Sequence, residues 1–389
     1  MNDLSAGAPA VHGTVARGWE RVREAFAQNF ARNDAFRECG AALAVYHRGE
    51  AVVDLWGGHA DRARTRPWQR DTLINVYSTS KGIVATAVAM LVDEGRLDYD
   101  ARVTRWWPEF GAAGKESTTV AQLLSHQAAL TGFTDPLPLP VEKLYDWDSC
   151  VRALAAQAPC WPPGTRTSYH AMTWGYLAGE LVRRASGMSV GRYVRERIAR
   201  RLGADVHIGL GKGDEPRVAE MLAPKTAPDL AALTQPRESL LALVSPQLDP
   251  EICNRREWRA AEIPAASGQA SAQGVARVYA ALASGGEFAG ARLLSRDTLA
   301  RATARVRGQT DLLLGFTDAW SMGWAWNQHG MLGPRAGTFG HSGWGGSFGC
   351  ADADAGIAIG YVCNQMGAQL VGDPRSVSLC AAIFDCAGN

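Results

Sequence analysis

Ser78-Thr79-Ser80-Lys81 sets a hydroxyl and an amine three residues apart. On a helix, that spacing stacks the two side chains one turn apart on one face. A serine hydroxyl is a poor nucleophile until a neighbouring base takes its proton. A lysine is that base only when desolvation pulls its pKa down. A helix N-terminus works in the same direction, because it disfavours a cation and favours an anionic oxygen. The competing reading is a helix-capping serine followed by a lysine that reaches for solvent.

A second candidate is Tyr169, in Pro163-Gly164-Thr-Arg-Thr-Ser-Tyr169-His170-Ala171. It stands between a Pro-Pro-Gly turn and a helix over about 171–186, where an exposed tyrosine suits catalysis; the competing reading is a packed tyrosine. A phenol so placed can relay a proton once a nearby ammonium stabilises the phenolate. The third candidate is Phe339-Gly-His341-Ser342-Gly343-Trp344-Gly-Gly-Ser347-Phe-Gly349. A strand this rich in glycine admits a ligand close to its backbone, and its N–H groups can help hold an oxyanion.

That third segment contains a decoy. Gly345-Gly-Ser347-Phe-Gly349 matches the G-x-S-x-G nucleophile elbow, whose triad runs in the order Ser, acid, His. No histidine follows Ser347, so the elbow reading fails on chain order. Metal chemistry finds no better support. The eight histidines are scattered singly with no H-E-x-x-H. Asp352-Ala-Asp354 has Ile357 and Cys363 where a calcium loop needs Gly and Glu, so a hairpin turn is the better account. His126, in Leu-Leu-Ser-His-Gln, reads as a structural histidine. No metal and no cofactor is expected.

The elements that must hold these residues follow from periodicity. Ser78 to Glu94 is nearly apolar on every face, which marks a buried central helix. Residues 15–37 read as an opening helix, and 41–46 with 51–56 as two strands around a Gly-containing turn. Short helices and Pro-rich connections fill about 97–264, and a helix spans 271–285. Strands are expected near 320–326, 337–343 and 356–363, with a last helix near 374–386. Strands at both ends imply one sheet assembled from both termini. The expected division is an α/β lobe of 1–96 with 265–389, and a mostly helical lobe of 97–264.

Composition narrows the class. The 389 residues, 47% of them hydrophobic, are enough for a large core, and forty basic against thirty-nine acidic residues give a net charge of +1. That balance argues against a nucleic-acid binder. The basic cluster 183–201 carries the stripe Val190, Tyr193, Val194 and Ile198, so it reads as the solvated face of a packed helix. No run is long and apolar enough for a membrane span, and the opening MNDLSAGAPAVHG lacks the pattern of an export signal. Eight cysteines without a C-x-x-C pair then read as reduced thiols of a cytoplasmic protein. Arginines number thirty-five against five lysines, which makes each lysine worth locating.

S-x-x-K, a tyrosine after Pro-Gly and a His-x-Gly segment near the C-terminus occur here in one order. That order resembles the class C β-lactamase-like serine hydrolases, and among them most of all the family VIII carboxylesterases. Leu123-Leu-Ser-His-Gln-Ala-Ala-Leu130, Gly175-Tyr-Leu-Ala-Gly-Glu180 and Ala276-Arg-Val-Tyr-Ala-Ala-Leu282 with Gly285-Gly286 extend the likeness over roughly residues 40 to 365. The resemblance implies an α+β fold of the β-lactamase/penicillin-binding-protein type: an antiparallel sheet flanked by helices, a mostly helical lobe, and an active site in the cleft between. It implies Ser78 as the acylated nucleophile, Lys81 and Tyr169 as the proton-transfer pair, and the backbone N–H groups of Ser78 and Trp344 as the oxyanion hole. Substrate contacts are implied for His341, Gly343, Trp344 and His170.

Two departures from the family pattern matter. The Lys of its Lys-Thr-Gly is His341 here, mostly neutral at pH 7, and the Asn of its Tyr-x-Asn is Ala171. Both remove polar handles for a β-lactam and leave the acyl-transfer groups in place. The expectation is therefore a serine carboxylesterase acting on small, short-chain esters. The alternatives are a β-lactamase, D-amino-acid peptidase or amide hydrolase on the same scaffold, a transacylase, or a non-catalytic binding protein. The partner is a small-molecule ester, with no nucleic acid and no membrane.

Overall fold

A computed structural model describes residues 9–226 and 234–388. The first eight residues, on which the export reading partly rested, lie outside the described residues. One seven-stranded sheet draws on both ends of the chain. From the N-terminal side come β1 (Val11–Val15), β2 (Gly40–His47) and β3 (Glu50–Gly58). From the C-terminal side come β4 (Ala325–Trp326), β5 (Phe339–Ser342), β6 (Phe348–Asp352) and β7 (Ile357–Cys363). The order is β1-β3-β2-β7-β6-β5-β4, with every neighbouring pair antiparallel. β2 and β7 join the two halves in a register running from Ala41 opposite Cys363 to His47 opposite Ile357.

The sheet is buried on both faces, and the period-2 alternation of β2 shows how. Ala42, Ala44 and Tyr46 point into one core, and Ala41, Leu43 and Val45 into the other. Helices α1 (Glu20–Ala31) and α5 (Pro374–Cys386) cover the second face with Phe26, Phe30, Ile383 and Phe384. Helix α4 (Ala272–Ala283) lies against the first face. It sits very close there because a Cβ on Gly360 would meet Ala272 O at 2.3 Å, and one on Gly349 would meet the Tyr279 ring at 2.2 Å.

Helix α2 (Thr79–Asp93) is buried at every residue from Thr79 to Val92, as its uniformly apolar composition requires. Between the two groups of strands lie several short helices and α3 (Thr173–Ser186), which ends on left-handed Gly187.

Two expectations need correction. The opening segment is a strand and then a helix, because Val11–Val15 finds a partner in β3 and the helix is confined to Glu20–Ala31. The glycine-rich 339–349 run is a hairpin, not one strand. Gly345 and Gly346 take φ of 98° and 118°, values open mainly to glycine, and turn the chain between β5 and β6. The Asp352–Asp354 stretch does lead into the β6–β7 turn.

Candidate active site

The approach to α2 is strained. Tyr77 has φ of 44°, where a bulky side chain rarely sits. It is held there because its hydroxyl donates to Pro250 O at 2.6 Å and its ring packs edge-on to Trp344 at 5.4 Å. Such conformations cost on the order of 1–3 kcal/mol and persist where surrounding contacts over-determine them. The following Ser78 does not cap the helix with its side chain. Its Oγ instead receives two groups: Lys81 Nζ lies 3.0 Å away, and the Tyr169 hydroxyl donates to it at 2.7 Å. Tyr169 is ninety-one positions away in sequence.

Lys81 is fully buried and does not snorkel. Its Nζ donates to Ala171 O at 2.8 Å and Ala265 O at 3.1 Å. Desolvation holds the amine well below the ordinary lysine range. A neutral amine has two N–H donors and one lone pair, so two carbonyls leave that lone pair for Ser78. Lys115, also fully buried, makes the contrast plain. Its three partners are all carbonyls, on Ala112, Ala155 and Gln157, so every donor of an ammonium is used and nothing is left to accept a proton.

Tyr169 is 5% exposed, so it is packed and yet presents its hydroxyl to Ser78. Burial raises its pKa above the ordinary tyrosine value, so the phenol stays protonated. Trp320 stacks on its ring, and Lys81 Nζ lies 4.9 Å from its centroid. The N–H groups of Ser78 and Trp344 find no acceptor among the described residues, and both residues line the cleft. The free space there is about 50 Å³, walled by Leu314, Phe316, Trp320, Trp326 and Met331 among others. No Asp, Glu, Lys or Arg lines it among the described residues.

His341 lies in this wall, and burial drives its pKa down to about 3, so the ring is neutral. Its Nδ1 donates to Ser342 O at 2.8 Å, which leaves Nε2 as a lone-pair acceptor. Gly343 sits behind the wall. A Cβ there would meet Val76 O at 2.1 Å and Ser347 Oγ at 2.4 Å, so its hydrogen side chain is what lets the hairpin press against the start of α2.

His170 is a correction. It is fully buried and outside the cleft lining, and both ring nitrogens are occupied. Nε2 accepts from Leu130 N–H at 3.1 Å, and Nδ1 donates to Ser168 O at 2.6 Å. It has nothing left for a substrate. His126 is likewise interior, its Nδ1 accepting from His170 N–H at 3.1 Å. The decoy Ser347 is 4% exposed, and its Oγ donates to Val76 O at 2.9 Å and lies 3.1 Å from Thr79 Oγ1.

The Beta-lactamase family matches residues 26–379. The chain belongs to the beta-lactamase family. It is 36% identical over 343 residues to Esterase/beta-lactamase LipL of Mycobacterium tuberculosis, covering 85% of this chain and 78% of that protein. Among solved structures, a family VIII carboxylesterase superposes with a TM-score of 0.91 at 45% identity, over 97% of this chain and all of the other. A penicillin-binding protein homolog from Caulobacter crescentus gives 0.89 at 42% identity, over 97% of this chain and 100% of that one. This beta-lactamase-family chain thus has the fold expected of it, an antiparallel sheet flanked by helices.

Sequence reasoning missed several residues of this beta-lactamase-family site. Tyr77 and Trp320 fall in no motif, and only their positions in space mark them. Among the described residues the cleft lining comes from Ser78, Tyr169, the segment 314–344, Leu370 and Val371.

Proposed function

We propose that the protein is a serine carboxylesterase that cleaves small, uncharged, short-chain esters through an acyl-enzyme on Ser78. The observation that carries this is the convergence of Lys81 Nζ and the Tyr169 hydroxyl on one oxygen, Ser78 Oγ. Lys81 takes the Oγ proton as Oγ bonds to the ester carbonyl carbon. The oxygen of that carbonyl becomes an oxyanion held by the N–H groups of Ser78 and Trp344. The tetrahedral centre then breaks its C–O bond to the alcohol. The alkoxide leaves with the Tyr169 proton, and the Lys81 ammonium beside the phenol returns a proton to the phenolate, so that both groups end as they began. Water attacks the acyl-enzyme by the reverse relay, frees the acid and returns the proton to Ser78.

The likeness to a family VIII carboxylesterase and to a relative named an esterase supports this reading. The apolar, uncharged cleft supports a neutral ester over a carboxylate-bearing substrate. Turnover of β-lactams is the second reading, favoured by the double name of the LipL relative. A panel of p-nitrophenyl esters, anilides and nitrocefin, with Ser78→Ala as control, decides between them. Activity that survives Ser78→Ala would sink the proposal.

Two further readings are proposed with it. The cleft lies between an α/β lobe of 1–96 with 265–389 and a helical lobe of 97–264, supported by Ser78 coming from the first and Tyr169 from the second. The protein is cytoplasmic, supported by eight cysteines that are all unpaired. No helix among the described residues is long and apolar enough to cross a membrane.

A further inference from the structure

We propose that Arg375, at the start of the C-terminal helix, is a positioning residue for the oxyanion hole and acts on Trp344 N–H through two successive peptide planes. The inference rests on the acyl-enzyme reading above. It begins from a buried cation that the catalytic groups do not use.

Arg375 is fully buried, and its guanidinium makes four hydrogen bonds and one further ion-pair contact. Nε donates to Asp373 Oδ1 at 2.9 Å and Nη2 to Asp373 Oδ2 at 2.7 Å, while Nη1 pairs with Glu38 Oε2 at 3.1 Å. Its remaining donors go to backbone: Nη1 to Gln365 O at 2.7 Å and Nη2 to Gly345 O at 2.7 Å. The next residue does the same, Ser376 Oγ donating to Gly346 O at 2.8 Å. The helix start therefore grips the β5–β6 turn from beneath, at the two residues after Trp344.

A peptide unit is planar and trans, so its C=O and N–H point in opposite directions. Fixing Gly345 C=O on Arg375 aims Gly346 N–H the other way, and that N–H donates to Gly343 O at 3.1 Å. Gly343 C=O shares its plane with Trp344 N–H. Holding that carbonyl aims Trp344 N–H away from the turn, on the side where no protein acceptor meets it among the described residues. Arg375 shares Gly345 O with Gly367 N–H at 3.0 Å, and Gly343 N–H donates to Ser347 O at 2.7 Å, so the guanidinium is the charged member of a small set of contacts that hold the turn. Gly345 and Gly346 both have positive φ and carry no side chains to wedge them. A Cβ on Gly346 would lie 2.7 Å from Arg375 Nη2, so the glycine is what allows the guanidinium this close. Buried charge is expensive unless each donor is met. Asp373, which takes both Nε and Nη2, supplies the charge balance that keeps Arg375 in place.

The test uses Arg375→Lys, which keeps the charge but cannot span Gly345 O, Gln365 O and Asp373 together. Loss of a single oxyanion donor costs about 10²–10³-fold in kcat. A donor that is misaimed but present should cost about 10–10²-fold, with KM within about twofold of wild type. Affinity for a trifluoromethyl ketone, which forms a tetrahedral oxyanion on the serine, should fall in step with kcat. Affinity for the matching unfluorinated ketone should not. Ser376→Ala removes a neutral contact and should move the same readouts in the same direction by less; it decides the matter if Arg375→Lys does not fold. A wild-type kcat in the folded variant, or a loss confined to KM, overturns the proposal. Fluorophosphonate labelling of wild-type Ser78 separates the two levels. Without that label the acyl-enzyme reading itself has failed, and the proposal falls with it.

Discussion

Trp320 lies flat on Tyr169, with ring centroids 5.4 Å apart and planes within 3°. The indole is itself anchored, its Nε1 donating to Asp311 Oδ2 at 2.8 Å. Asp311 Oδ1 accepts from Leu313 N–H and Leu314 N–H at 2.9 Å each. The same loop bonds to the segment leading into Tyr169 through Leu312 N–H and Thr167 O at 2.9 Å. A buried carboxylate thus fixes an indole, and the indole fixes the plane of the phenol.

Trp320→Ala should therefore cut kcat/KM for p-nitrophenyl butyrate by about 10²-fold, the scale expected when a reacting group shifts by about 1 Å. Trp320→Phe keeps a stacking plane and loses the Asp311 bond, so it should lose less. Equal activity of Trp320→Ala and wild type would show that Tyr169 holds its position without the stack.

Ser347 looks like a nucleophile in sequence and is a strut in the fold. Ser347→Ala should retain fluorophosphonate labelling and most activity, with a stability loss of about 1 kcal/mol from its buried hydrogen bonds. Ser78→Ala should lose labelling and turnover with its melting temperature little changed. Mass spectrometry of the labelled peptide distinguishes the two serines, and a label on Ser347 would reverse the assignment.

The pH profile follows from the direction of the Lys81 shift. Its amine is the base only when neutral, and desolvation moves its pKa well below the ordinary value. The acid limb of kcat/KM should therefore lie far below the range of an exposed lysine, with activity lost as pH falls through the depressed pKa. The Tyr169 phenol is shifted upward, so it should add no alkaline loss below its usual pKa of about 10. Lys81→Ala and Tyr169→Phe should each slow acylation by about 10²–10⁴-fold. The double variant should be little worse than the worse single one, because both act at Ser78 Oγ. Fully multiplicative losses would mean two independent roles.

Selectivity should favour esters over β-lactams. His341 is neutral and Ala171 has no amide, so two polar contacts to a β-lactam are missing, each worth about 1.5–3 kcal/mol when charge-assisted. p-Nitrophenyl acetate or butyrate should exceed nitrocefin in kcat/KM by at least about 10²-fold. His341→Lys with Ala171→Asn should narrow the ratio. Nitrocefin turned over faster than every simple ester would refute this reading of the two positions.

What the sequence determined by itself was local. An S-x-x-K at the head of a helix apolar on every face already set Ser78 and Lys81 one turn apart on a helix bound for the core, because helical spacing acts within a few residues, while the choice between a buried lysine and one that reaches for solvent waited on the fold. Chain order alone disqualified Ser347. Tertiary structure decided whatever depends on contacts between distant segments. Tyr169 reaches Ser78 across ninety-one residues, and Arg375 reaches Gly345 across thirty. His170, beside Tyr169 in sequence, faces the interior with both nitrogens used. Neighbouring residues on an irregular loop point in unrelated directions, and only the packing of the surrounding elements selects which one meets the cleft. The same packing brought β2 and β7 together from opposite ends of the chain, and that join sets the β5–β6 turn against the start of α2.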